Sequence, residues 1–145
     1  MMMLFREATS NDIEGLHIVR VSVKENALSD PSRITPADYE EFLTRRGKGW
    51  LCEIDKRIVG FAICDLQDEN IWALFVHRGF EKRGIARMLQ QHMLDWYFTQ
   101  KEKVWLSTSP GTRAEQFYRA SGWKENGLHG KEIRFEITRE EWLSS

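Results

Sequence analysis

Cysteine is scarce in this chain: Cys52 and Cys64 are the two present, both among apolar neighbours. That excludes a disulfide scaffold and a four-cysteine zinc site, and leaves two reduced core thiols as the expectation. Proline occurs three times. With no low-complexity tract and no self-similar period of about 20–50 residues, nothing reads as a linker or a repeat array. Long apolar runs are missing as well. None approaches the ~18 residues a membrane span needs, and mean hydropathy is −0.51. The start Met1-Met2-Met3-Leu4-Phe5 lacks the basic region and long apolar stretch of a signal peptide, so a cytoplasmic location with no membrane contact is expected. Net charge is the last absence. The 21 basic and 22 acidic residues leave a formal charge of −1, so no global field draws the protein towards nucleic acid or anionic lipid. Any anion site must be local. None of the four histidines stands at metal-ligand spacing from a cysteine or carboxylate, and no metal is expected.

What is present suits one domain over 1–145, since domains commonly run about 100–150 residues. A short strand at 4–8 precedes a helix capped in the stretch Thr9-Ser10-Asn11-Asp12, carrying Ile13, Leu16 and Val23. A loop at 26–33 leads to a second helix with Thr35 as cap and Pro36 in its first turn, closed by glycines at 47–49. Trp50, Cys52 and Ile54 alternate with Leu51, Glu53 and Asp55, and a turn at 55–57 returns the chain through 58–64, which predicts a hairpin. The stretch 71–76 has no polar face and predicts a central strand covered on both sides. From Gly84 to about residue 100, Ile85, Met88, Leu89, Met93 and Trp96 form one helical stripe. A buried strand at 104–106, a capping box at Thr112-Arg113-Ala114-Glu115 opening a helix that Gly122 stops, and a strand alternating on Ile133, Phe135 and Ile137 complete the series. The fold class is α/β (α+β): a mixed, mostly antiparallel central sheet flanked by about four helices.

The junction at 76–87 carries the most chemistry. A buried strand becomes a helix through a loop in which Arg78, Lys82, Arg83 and Arg87 stand against Glu81, a local charge of +3. A helix N-terminus leaves its first amides unpaired and carries about +0.5 of dipole charge, so it accepts a diphosphate well. Gly79 and Gly84 have Walker A spacing, but Ile85-Ala86 follow where Lys and Ser or Thr are required. The dinucleotide fingerprint fails for want of a first G-x-G pair. On the glycines alone, an ordinary strand-to-helix turn with solvated charges is an equal reading.

A second constellation, Ala114, Tyr118, Gly122 and Trp123, follows about 30 residues later and one strand further on. Together the two segments resemble the GNAT family of acyl-CoA-dependent N-acyltransferases. Its pattern V-x-P-x-x-[QR]-x-x-G-x-[GA] is similar to 76–86, and its A-x-x-x-Y-x-x-x-G-[FW] to 114–123. The order of elements from 4 to 138 is similar too. The chain departs from the pattern at Arg78, where proline is usual, and at Glu81, where Gln or Arg is usual; Gly111 and Ser107 stand where many members carry Asn or a catalytic carboxylate. A carboxylate beside a diphosphate is repulsive, so the Glu81 side chain is expected to point away.

The resemblance implies acetyl-CoA as cosubstrate, held by Leu74, Phe75 and Val76 of the splayed central strand and by Lys82, Arg83, Gly84, Ile85, Ala86 and Arg87 of the loop and helix. It implies Tyr118 as the acid that protonates the leaving thiolate, although spacing alone puts Tyr118 on an apolar helix face with Ala114 and Phe117. Candidates for a base are Glu53, Asp65, Glu69 and His77, acting through water; His17 and His92 read as packed at helix faces. The acceptor, a small-molecule or peptide amine, is expected among the first two helices, the loop 26–33 and the near ends of the central strands. There Asp30, Asp38, Glu40, Glu41 and Asp65 either attract a cationic amine or, for Asp38, Glu40 and Glu41, solvate a first helical turn. Trp50 and Trp72 either wall the acceptor's pocket or, as is commoner for tryptophans at strand positions, are core. A homodimer is an expectation from the family. The rival class is an acyl-CoA-binding regulatory module without turnover. Nucleic-acid binding through 78–87 is disfavoured, because only Phe80 is interleaved with the cations.

Overall fold

The hairpin predicted at 50–64 forms as β2 (Gly47–Ile54) and β3 (Arg57–Asp65) in a computed structural model that describes residues 2–23 and 34–145. Asp55 and Lys56 take φ of 52° and 68°, the backbone twist that suits a two-residue turn between right-twisted strands. Arg57 therefore belongs to the strand. β1 (Met3–Glu7) pairs antiparallel along β2. The loop expected at 26–33, with Asp30, lies outside the described residues.

Helix starts were legible, and some ends were not. Thr9 caps a short 3₁₀ turn at Ser10–Asp12 before α1 (Ile13–Ser22), which buries Leu16 and Val19, while Val23 is extended and lies beyond the helix. α2 (Pro36–Thr44) begins with a reciprocal box: Asp38 N–H donates to Thr35 Oγ1 and Thr35 N–H to Asp38 Oδ2 at 2.8 Å. Gly47 and Gly49 do not close that helix but open β2. A Cβ on Gly47 would stand 1.7 Å from the Cys64 carbonyl oxygen, and one on Gly49 2.5 Å from a Leu43 methyl. They are glycines because strand and helix pass too close for a side chain.

Seven strands lie in the order β1-β2-β3-β4-β5-β7-β6, with β4 (Asn70–Val76), β5 (Lys103–Thr108), β6 (Lys124–His129) and β7 (Glu132–Thr138). All pairings are antiparallel except β4 with β5. α1 and α2 cover one face, where Leu16, Val19, Tyr39 and Leu43 pack on Leu51, Phe61, Ile63 and Ala73. α3 (Ile85–Tyr97) and α4 (Arg113–Ala120) cover the other, where Ile85, Leu89, Met93 and Tyr118 pack on Cys52, Ala62, Val104 and Phe135. The buried face of α3 runs through Leu89, Gln90, Met93, Leu94 and Tyr97, so Met88 is rotated out and 38% exposed. β6, exposed throughout and without apolar alternation, and α5 (Arg139–Leu143), capped by Thr138, carry no pattern that sequence reading detects.

β4 is the middle strand, as its composition predicts, yet Ala73 is its one buried residue. Ile71, Trp72 and Ala73 pack against the covering layers, whereas Leu74, Phe75 and Val76 at its end line an opening.

The close approach at Gly47 makes a measurable demand. Gly47→Ala forces backbone apart, and overpacking of this kind costs about 3 kcal/mol or more, or roughly 10 °C in Tm for a domain of this size. Thermal denaturation of Gly47→Ala beside the wild type measures it, and an unchanged Tm contradicts the packing described.

Candidate active site

The opening begins at one tryptophan. Trp105 N–H donates to the Glu69 carbonyl at 3.0 Å and its indole Nε1–H to the Asp68 carbonyl at 3.0 Å. Asn70↔Trp105 is the single pairing between β4 and β5; beyond it the strands part. On its other edge β4 stays paired with β3 from Asp65↔Asn70 to Gly60↔Val76, and His77 N–H donates to the Val59 carbonyl at 2.7 Å. Because amides alternate along a strand, the Val76 N–H points the opposite way, into the gap. An inner strand edge left open needs polar partners from elsewhere.

Above the gap lies a cavity of about 500 Å³, lined by Leu74, Phe75 and Val76, by the loop from Arg78 to Arg87, by Arg113, Ala114, Phe117 and Tyr118, and by Val23. All the sequence-derived cofactor positions except Arg83 line it, and Arg83 lies against the Phe80 ring at 5.1 Å. Lys82 and Gly84 take φ of 63° and 79°, and Gly84 is the N-cap of α3. α2, α4 and α5 each begin with a threonine that accepts an amide proton from the first turn, and α1 continues from a 3₁₀ turn, whereas α3, the longest helix among the described residues, begins at a left-handed glycine with no side-chain cap. Its first amides are therefore available to an outside acceptor. A Cβ built on Gly84 meets nothing within 4 Å, so glycine is required by the left-handed backbone, and the space above it is open.

Glu81 does not turn away from this corner, as charge repulsion alone suggests. It lines the cavity and is ion-paired with Arg113 at the start of α4. The neutralising cation comes from the far wall, 32 residues on, which is why the local sequence does not reveal it.

Tyr118 occupies both positions that the sequence offered: it lines the cavity, and it is 7% exposed against Phe117, Trp123 and Phe135. Burial pushes its phenol well above the ordinary range. Two bonds fix the helix that carries it. Trp123 N–H donates to the Tyr118 carbonyl at 3.1 Å, and Trp123 Nε1–H donates to Gln90 Oε1 at 2.8 Å, with Gln90 itself 2% exposed on α3. Gln90 therefore joins α3 to the end of the helix that carries Tyr118. Its one signal in the sequence is a polar residue directly beside the α3 stripe.

The structure does not bring the base candidates to the cavity. Glu53 accepts from Arg6 at 2.9 Å, Asp65 is 1% exposed and clasped by Arg46, and Glu69 pairs with Lys101 at 3.7 Å. His77 has the Gly79 N–H 3.1 Å from Nδ1 and Arg57 Nη2 3.1 Å from Nε2; a neutral ring accepts at one nitrogen only. Burial, then the Arg57 charge, lower its pKa. His92 stacks on Phe5, and His17 Nδ1 lies 2.9 Å from the Tyr39 hydroxyl. Trp50 is core; Trp72 is part-buried, stacked on Phe42. Both cysteines are free and buried. Among the described residues no group of three or more His, Cys, Asp or Glu is placed to hold a metal ion, and no helix is long and apolar enough to cross a membrane.

Comparison with known proteins identifies the family and the fold. Residues 15–123 match the Acetyltransferase (GNAT) family. No curated protein matches the sequence. Among solved structures, the chain is similar to the PaiA N-acetyltransferase of Thermoplasma acidophilum in complex with coenzyme A, at 14% identity and a TM-score of 0.85 over 95% of this chain and 99% of that one. A GNAT-family acetyltransferase of Staphylococcus aureus gives 18% identity and a TM-score of 0.80 over 94% and 99%. The spermidine/spermine N-acetyltransferase of Vibrio cholerae gives 16% and 0.72 over 98% and 96%. At these identities the likeness establishes the fold.

The chain's three tyrosines share one property. Burial is the largest cause raising each: Tyr39 to about 12, and Tyr97 and Tyr118 further still. Folding thus favours the protonated phenols, so their contribution to stability is complete below the ordinary pKa of about 10 and is lost as pH rises past it. At pH 10 the native protein should show almost no phenolate absorbance, while the same protein in guanidinium shows about half of its phenols ionised. A native phenolate band of comparable size contradicts this burial.

Proposed function

The chain belongs to the GNAT acetyltransferase family, and from that premise we propose that residues 1–145 act as one acyltransferase domain, moving an acetyl group from acetyl-CoA to a primary amine of a small molecule or peptide by direct attack in a ternary complex. The observation that carries this reading is the parting of β4 from β5 above Asn70↔Trp105, directly over the uncapped start of α3.

The residues present fit coenzyme A. The first amides of α3, with Lys82, Arg83 and Arg87 around them, suit a diphosphate. Leu74, Phe75, Val76 and Phe117 make an apolar channel, and the open edge of β4 offers amides that pair with an extended, amide-bearing arm. When bound, acetyl-CoA supplies the acetyl group as an activated thioester. The Val76 N–H, aimed into the gap, stands as a donor to a carbonyl oxygen gaining charge, and one such donor is typically worth about 2.7–4 kcal/mol of barrier. The Tyr118 hydroxyl, kept protonated by burial at the cavity wall, is the donor to the departing sulfur; burial also makes it a weaker acid, so the proton it gives up is replaced by the one the attacking amine sheds. Arg113 cancels the charge of Glu81, so the carboxylate does not repel the diphosphate.

A second reading, an acyl-CoA-binding module without turnover, is favoured by one observation: none of Glu53, Asp65, Glu69 and His77 lines the cavity. Release of free thiol from acetyl-CoA over a panel of amines separates the two. Turnover with any amine supports the transferase, and saturable acetyl-CoA binding without thiol release from any of them supports the module.

Two variants test the residues. Gly84→Val should abolish acetyl-CoA binding by calorimetry, because a β-branched residue does not hold this φ and its side chain fills the space over the helix start; retained affinity removes the loop from the site. Tyr118→Phe should lower turnover about 10²–10⁴-fold with acetyl-CoA affinity nearly unchanged, and unaltered turnover removes the acid assignment.

A further inference from the structure

Among the described residues, Arg20 is a cation without an anion. It stands in the last turn of α1, and its guanidinium carbon lies 4.7 Å from the centre of the Phe75 ring and 5.4 Å from that of Trp72. Nε and Nη1 are shut off from solvent with no hydrogen-bond partner, and no carboxylate among the described residues forms an ion pair with Arg20. The polar group beside it is the Tyr39 hydroxyl, whose other neighbour is His17 Nδ1 at 2.9 Å. If that hydroxyl donates to the imidazole, its oxygen remains to accept from the guanidinium, which leaves Nε and Nη1 unserved. Arginine is enriched where planar anions are recognised, and a buried one without a partner is costly to keep. Arg46 and Arg6, by contrast, meet carboxylates: Arg46 those of Asp65 and Asp68, Arg6 those of Asp12 and Glu53. Arg139 also has a buried Nε without a partner, but its guanidinium donates to the Lys101 carbonyl at 3.0 Å and lies 4.0 Å from Glu102.

The position matters as much as the vacancy. Phe75 and Val23 both line the cavity, Phe75 from β4 and Val23 three residues beyond Arg20. The guanidinium therefore stands one ring behind the cavity wall, on the α1 and α2 side of the sheet, opposite the cationic loop at 78–87. Burial by its surroundings also disfavours its charged form, a cost that an incoming anion would reverse.

We propose that Arg20, backed by Trp72 and Phe75, receives a carboxylate of the acceptor, so that the amine acetylated by this protein carries an acid group close to it. This rests on the transferase reading above. A polyamine, all cation, has nothing to offer Arg20 and would be repelled by it. The carboxylate has two sources, the α-carboxylate of a free amino acid or an acidic side chain near a peptide N-terminus.

The test uses matched amines differing in one charge: free amino acids against their C-terminal amides, and peptides with Asp against Asn as the second residue, with spermidine as the cationic control. Thiol release from acetyl-CoA is followed, and acetyl-CoA affinity is titrated separately. The expected result is a kcat/KM about 10–100-fold higher for one acid-bearing set than for its neutral twin, and the favoured set identifies the source. Arg20→Gln should bring that ratio close to one, mainly through KM, with acetyl-CoA affinity unchanged, and Arg20→Lys should keep part of it. Should Arg20→Gln not fold, the wild-type ratio and Arg20→Lys decide. Equal rates for the twins, preference for spermidine, or a ratio that survives Arg20→Gln overturns the inference alone. A wild type that binds no acetyl-CoA overturns the transferase reading and this inference with it.

Discussion

Two hydrogen bonds from Trp105 to the carbonyls of Glu69 and Asp68 hold β4 and β5 together at one end, and everything that makes this protein more than a covered sheet follows from their divergence beyond it. A strand edge inside a domain ordinarily finds a neighbour, because an unpaired amide away from water costs free energy comparable to a lost hydrogen bond. Here β4 keeps β3 on one edge and leaves the other open. The cavity is the direct result, and the end of the β4 run, Leu74, Phe75 and Val76, which reads as buried core, becomes its lining.

The walls are fixed by contacts between elements far apart in sequence. Arg113 reaches Glu81 across the opening, and Trp123 locks onto Gln90. These links tie the helix that begins at Gly84 to the helix that carries Tyr118. They set the distance between the start of α3 and Tyr118 across one cavity, which a helix pair resting on hydrophobic contact alone would set less sharply.

Much of this was legible in the sequence because it rests on local rules. Alternation gave the hairpin at 50–64, threonine caps gave the starts of α2 and α4, and the cationic, glycine-bearing junction gave a wall of the cavity. What was not legible depends on tertiary contact. Gly47 and Gly49 read as a helix stop but answer to the Cys64 backbone and the Leu43 side chain. β6 has no apolar face because nothing covers it. Glu81 was expected to turn away because its partner lies on another helix. Arg20 gave no signal at all: an arginine in a helical turn looks solvated until the rings it meets are known.

The strand order has a consequence for how the molecule comes into being. β7 lies between β5 and β6, although both precede it in the chain. Until residues 132–138 have left the ribosome, β5 lacks its full-length neighbour and is joined to β4 at a single point. The β1-β2-β3-β4 half can assemble from near neighbours, whereas the far wall of the cavity waits for the last strand, a long-range closure that is slow by nature. A nascent chain paused in that interval exposes β5 along both margins, the kind of edge that recruits other chains. The same divergence that opens a working cleft makes the C-terminal half of the sheet the vulnerable stage of biogenesis.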